Sequence, residues 1–249
     1  MCLQAIIMAA GKGSRLSPLT DNIPKCMIEV GGRPLLDYQL RLFEKYGVDE
    51  IIIVTGNKHE IIEQYVQHNF RIKTIYNKDY ESTNVLGSFS VGMEYLSEEF
   101  IYAHADTIFD EIVISKIIQE TADIILPIDV KPCGEEEMKV QIDKNGAIKF
   151  INKTMNSELA WGEFLGVAKF SKKALNLLKN ETNKILQSQK STAFFEVAIQ
   201  NIINNNECSI QSIDVSGVYW NEIDFLNDYE EAVTNFHRSS LHSLFDKIN

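Results

Sequence analysis

The run from Leu3 to Ala9 is apolar except at Gln4, and a loop carrying Gly11 and Gly13 follows it directly. An unbroken apolar run of this length suits a strand covered on both faces, as in a parallel sheet, and not one with a face in water. The pattern then repeats. Leu36, Leu40 and Phe43 recur at helical spacing after Pro34, and Gly47 stands where a helix would stop. Ile51 to Val54 reads as the next buried strand. Ile61, Ile62, Tyr65 and Val66 mark a short helix, and Lys73 to Tyr76 a third strand. Leu86, Phe89, Met93 and Leu96 share one helical face, with Thr83 and Asn84 placed to cap its start. Phe100 to Ala103 supplies a fourth strand, ending at His104-Ala105-Asp106. This alternation predicts an α/β fold with a doubly wound, mostly parallel, Rossmann-like sheet.

The second half changes character. Met138 to Ile142 and Ala147 to Ile151 flank Lys144-Asn145-Gly146 and read as a hairpin. Phe164 to Phe170 reads as a strand, Ala193 to Ile203 as a helix and Ile210 to Val215 as another strand. No repeat, low-complexity tract or Pro/Ser-rich linker interrupts the chain, so residues 1–249 are expected to form one domain carrying a smaller antiparallel lobe over about 131–204.

Composition narrows the partners. A chain of 249 residues at 45% hydrophobic can bury a sizeable core. Its net charge is −11 and its Lys and Arg residues are scattered, so it lacks the basic stripe that nucleic acid requires. Cys2, Cys26, Cys133 and Cys208 stand far apart, without metal-ligand or disulfide spacing, and free thiols point to a reducing cytoplasm. No apolar run approaches the roughly 18 residues of a membrane span, and the N-terminus lacks the charged region of a signal peptide. The oligomeric state is left open, a homodimer included.

The opening loop fits neither of two common phosphate loops. Lys12 is followed by Gly13 and not by Ser or Thr, and the place of a third dinucleotide-fingerprint glycine holds Leu16. The physics those loops exploit still applies. Gly11 and Gly13 let backbone amides approach an anion, Lys12, Arg15 and Lys25 add positive charge, and the loop sits at the carboxyl end of the first strand. A polyphosphate is the expected guest, against the alternative of a plain turn with solvated cations.

The string "AAGKGSRLSPLTDNIPK", Ala9 to Lys25, resembles the signature loop of the sugar-nucleotidyltransferase superfamily. The following "GGRPLLDYQLRLFEKYGVDEIIIVTG" fits that family's continuation. The resemblance implies attack by an acceptor phosphate on the α-phosphorus of a nucleoside triphosphate, with release of pyrophosphate. It implies nucleotide contacts at Ala9, Ala10, Gly11, Lys12 and Gly13, a grip of Arg15 on the leaving phosphates, and a Lys25 that bridges the α-phosphate and the acceptor. It also implies Mg²⁺, with Asp106 of "YAHADTIFD" and Asp224 of "VYWNEIDFLNDYEEA" as ligands and Glu222 as a third or orienting group. His104-Ala105 departs from the family, which usually has glycine before this aspartate. The alternatives are helix caps at Asp106 and Asp224 and solvated charge at Asp228, while Asp110 suits a cap. By this resemblance, about 1–130 and 205–249 form the nucleotide and metal-binding body, and 131–204 the acceptor side.

"YESTNVLGSFSVGMEYL" resembles the bacterial choline-phosphate and phosphonate cytidylyltransferase branch, which implies CTP, read by Thr83, Asn84 and Ser88. "GEFLG", Gly162 to Gly166, matches the same branch. Trp161, Glu163, Tyr219 and Trp220 then become candidates to hold a cationic acceptor head, with core packing as the alternative for each tryptophan. Phosphocholine, giving CDP-choline, leads. Aminoethylphosphonate, a phosphoglutamine-like acceptor, a hexose 1-phosphate with UTP or dTTP, and a non-catalytic nucleotide sensor are the other readings.

Overall fold

The structure, a computed structural model, describes residues 2–188 and 192–245. In chain order its first half comprises β1 (Leu3–Ala9), a ribbon of β2 (Glu29–Val30) and β3 (Arg33–Pro34), α1 (Leu35–Lys45), β4 (Glu50–Thr55), α2 (His59–Val66), β5 (Ile72–Tyr76), α3 (Val85–Gly92) and β6 (Glu99–His104). Strands β6, β1, β4 and β5 pair side by side and parallel, with β1 between β4 and β6. Side chains alternate across β1: Ala5, Ile7 and Ala9 enter one core layer and Ile6 the other. Both layers are apolar, which is why the run carries no polar alternation.

The second half comprises β7 (Thr107–Phe109), α4 (Glu111–Gln119), β8 (Ile124–Asp129), β9 (Lys139–Ile142), β10 (Ile148–Asn152), β11 (Gly162–Phe164), β12 (Val167–Phe170), α5 (Lys172–Gln187), α6 (Glu196–Asn205), β13 (Ile210–Asp214), β14 (Trp220–Glu222) and α7 (Leu226–Asn235). Its antiparallel strands extend the same sheet to ten strands, in the order β10-β9-β11-β8-β12-β6-β1-β4-β5 with β13 beside β8. The expected doubly wound sheet is present. Helices α1, α2, α4 and α7 cover one face, and α3, α5 and α6 the other.

Two expectations need correction. The stretch Phe164 to Phe170 is not one strand but breaks at Leu165-Gly166 into β11, which pairs with β9, and β12, which pairs with β6. Gly166 takes φ 73°, a left-handed conformation that glycine adopts without steric cost. The late helix begins at Glu196, not at Ala193. Asp110 does cap α4, accepting from the Ile112 amide at 3.1 Å. Among the described residues no helix is long and apolar enough to cross a membrane.

Candidate active site

Two short strands bring distant carboxylates together. β14 pairs antiparallel with β7, setting Glu222 opposite Thr107, and the Ile223 amide then donates to the Asp106 carbonyl at 3.1 Å. The turn carrying Asp106 is itself held from α1, where the Gln39 side-chain amide donates to the carbonyls of His104 (2.7 Å) and Thr107 (2.8 Å). Asp106 and Asp224, 118 positions apart in the chain, therefore face one another. Neither is a helix cap. The start of α7 is tied by Asp228, whose carboxylate accepts from the Asp224 and Phe225 amides at 2.9 and 2.7 Å, so Asp228 is structural and not mere solvated charge.

Lys25 lies between the two. Its Nζ donates to Asp106 Oδ2 at 2.6 Å and to Asp224 Oδ1 at 2.5 Å, and Arg15 Nη2 reaches Asp224 Oδ2 at 2.9 Å. Burial pulls the Lys25 ammonium toward losing its proton, but Asp106 and Asp224 outweigh it and hold Lys25 well above the ordinary lysine range. Burial likewise disfavours the Asp106 carboxylate, and Lys25, then His104, bring it below the usual aspartate value. Gly13, at φ 64°, seats the loop against this group: a side chain there would begin 3.1 Å from Lys25 Cβ.

A cavity of about 360 Å³ opens over these residues. The loop lines it with Ala10, Gly11, Lys12, Gly13 and Arg15, and the start of α3 with Thr83, Asn84 and Ser88. Asn77 donates to both the Thr83 and Ser88 hydroxyls, at 3.2 and 3.0 Å, and Asn84 caps α3 while lining the cavity. Lys12 pairs with the exposed Glu81 at 2.9 Å. Ala9 is the exception among the loop candidates: it ends β1 inside the core and is not among the lining residues.

Residues 5–138 match the MobA-like NTP transferase domain, more than half of the chain. The chain belongs to this family. It is 26% identical to a CTP:phosphoglutamine cytidylyltransferase of Campylobacter jejuni over 93% of this chain and 99% of that one. It is 29% identical to the bifunctional protein GlmU of Methanococcus aeolicus over 89% of this chain but only 51% of that relative, so it spans half of the larger protein. Among solved structures, the CTP:phosphocholine cytidylyltransferase LicC of Streptococcus pneumoniae superposes with a TM-score of 0.80 at 21% identity, covering 95% of this chain and all of that one, a likeness of fold.

In this NTP transferase domain a second, acidic cavity of about 490 Å³ adjoins the first through Glu222 and Asp224. Glu163, Tyr219 and Trp220 line it. Each already has a partner: Glu163 meets Lys131 at 2.8 Å, the Trp220 indole N–H donates to Asp129 at 3.1 Å, and the Tyr219 hydroxyl donates to the Ala232 carbonyl at 3.1 Å. Trp161 lines neither cavity and packs on the core layer under α3, α5 and α6, whereas Trp220 packs on the opposite layer. The pair of tryptophans around one cation is not assembled.

The donor set suits a hard divalent cation. His104, Asp106 and Glu222 offer ligand atoms within 4.8 Å of one another, and Asp224 shares the Lys25 ammonium with Asp106. Carboxylate oxygens are the ligands Mg²⁺ takes, and imidazole is not. Burial pulls His104 down, yet Glu222 at 3.5 Å lifts it to about 9. Asp106, Asp224 and Glu222 thus fit the ion by their oxygens, with His104 beside Glu222 as its partner. The sequence marks His104 only as a departure from pattern. Its role as a partner of Glu222 depends on Gly166, where a side chain would begin 2.6 Å from His104 Nδ1.

Proposed function

We propose that this NTP transferase domain moves CMP from CTP to a small phosphorylated acceptor with a positively charged head, releasing pyrophosphate. The observation that carries the reading is the shared Lys25 ammonium: two carboxylates from distant segments and the glycine loop meet at one buried cation beside a cavity. The near full-length similarity to a cytidylyltransferase supports the choice of CTP.

In this reading the cytosine and ribose lie by Thr83, Asn84 and Ser88, whose small polar groups suit a pyrimidine edge. The loop amides at Gly11 and Gly13 face the triphosphate. Arg15 and Lys12 leave Asp224 and Glu81 for the β- and γ-phosphates, an exchange of one anion for another. An acceptor phosphate oxygen bonds to the α-phosphorus in line while the α–β bridging P–O bond breaks, and pyrophosphate leaves with that electron pair. Lys25 neutralises the two phosphates that must approach, and catalysis is positioning and charge stabilisation. Mg²⁺ held by Asp106, Asp224 and Glu222 would supply further neutralisation of the triphosphate.

Pyrophosphate release with CTP, UTP, dTTP and ATP against phosphocholine, phosphoethanolamine, 2-aminoethylphosphonate and glucose 1-phosphate tests this. CTP with a cationic acceptor is expected to give the highest kcat/KM. Preference for UTP or dTTP with the hexose phosphate would replace the reading, and no release with any pair would favour a sensor.

A further inference from the structure

We infer that Glu196 is the side chain that selects the acceptor, by binding a primary ammonium group on it. The inference rests on the cytidylyltransferase reading above and narrows its acceptor class.

Glu196 opens α6 and is 3% exposed, and its Oε1 has no hydrogen-bond partner among the described residues. A buried carboxylate oxygen without a donor is costly enough that proteins rarely keep one for structure alone. It lines the cavity that also holds Lys25, Arg15 and the glycine loop. Two cations stand near it, and neither forms a salt bridge with it among the described residues: His104 uses one ring nitrogen on Glu222 and the other on the Tyr102 hydroxyl at 2.9 Å, and Lys153 lines the same cavity with its ammonium 5.6 Å from the centroid of the Phe194 ring. Burial raises the Glu196 carboxyl above its ordinary value, even though His104 and Lys153 act to lower it.

The other acceptor candidates differ in that respect. Glu163 is paired with Lys131, and the polar atoms of Trp220 and Tyr219 are satisfied by Asp129 and Ala232. They line a cavity that Lys25 does not reach, whereas an acceptor phosphate must meet Lys25. An unpaired carboxylate oxygen needs an N–H donor that also brings positive charge, which a primary ammonium provides. A trimethylammonium head carries the charge without the donor, and the aromatic pair that would favour it is not assembled.

Steady-state pyrophosphate release with CTP separates the possibilities. The unmodified protein is expected to use phosphoethanolamine or 2-aminoethylphosphonate with at least about tenfold higher kcat/KM than phosphocholine, since a charged hydrogen bond is at stake. Glu196→Gln is expected to raise the KM for the amine acceptor by about 10- to 100-fold, to leave the KM for CTP within about twofold, and to erase the preference over phosphocholine. Glu163→Gln is expected to leave the acceptor KM within about twofold. Turnover with an unchanged acceptor KM in Glu196→Gln, a rise in the CTP KM instead, or a wild-type preference for phosphocholine overturns this inference alone. Absence of turnover with every pair overturns the cytidylyltransferase reading as well. The selectivity of the unmodified protein needs no variant, so a misfolded Glu196→Gln would leave the inference exposed to refutation.

Discussion

Lys25 shows how much of this site is electrostatic compensation. An ammonium this buried is tolerable only because two carboxylates share it, and neither carboxylate would be comfortable without the ammonium. Glu163 is the opposite case, since burial lifts its carboxyl to about 7 despite Lys131 at 2.8 Å. The folded pKa lies above the ordinary glutamate value of 4.5. The folded state therefore binds the extra proton, and the stability this supplies at low pH is lost as pH rises from about 4.5 to about 7. Glu163→Gln is expected to remove this slope, so the stability difference between variant and parent, read by urea denaturation at a series of pH values, rises through that window by on the order of 3 kcal/mol. A flat difference would show that the Glu163 carboxyl titrates in its usual range. At this scale the sequence exposes Lys25, Arg15, Asp106 and Asp224, because each sits in a short string with few other uses. Glu196 is hidden, since an acid in the first turn of a helix is what the helix dipole favours anyway, and only the missing partner sets it apart. Trp161 misleads for a related reason: a tryptophan beside a motif suits either face of a sheet.

The break between β11 and β12 is the element that shapes the site. Before it the chain pairs with β9 and after it with β6, and the Gly166 carbonyl accepts from the His104 amide at 2.9 Å. Gly166→Ala would impose left-handed strain and place its Cβ 2.6 Å from His104 Nδ1. A loss of about 1–3 kcal/mol is expected from strain alone, with Tm falling by about 2–12 °C and activity falling as His104 and Glu222 shift. Gly217→Ala also meets a positive φ, of 76°, but no neighbour within 4 Å, so it is expected to lose less stability and to keep its activity. Equal effects of the two substitutions on activity would show that His104 does not depend on the break. The sequence reads this stretch as one strand because Phe164 to Phe170 is apolar except at Lys169, and hydrophobic pattern carries no sign of a backbone angle. The three-residue strands β7 and β14 are equally silent, though their pairing is what joins Asp106 to Asp224.

Over the whole molecule, the parallel strands are legible because each buried run pairs with a helix of matching period. The ten-strand continuity is less so, because antiparallel strands that join the same sheet and strands that form a separate lobe share one pattern. The site lies where this continuity matters, with the loop after β1, the turn after β6 and the segment after β14 meeting at one cavity. We propose that residues 131–204 serve the acceptor within this single sheet. The central claim is that segments from both ends of the chain act as one charge cluster on the triphosphate. The most direct measurement is the rate of pyrophosphate release from CTP by Asp224→Asn, with folding checked by circular dichroism. Asparagine keeps the shape and leaves Lys25 paired with Asp106, so the variant is expected to fold and to lose about 10²–10³-fold in kcat. A folded Asp224→Asn protein turning over within about twofold of the parent would contradict the account.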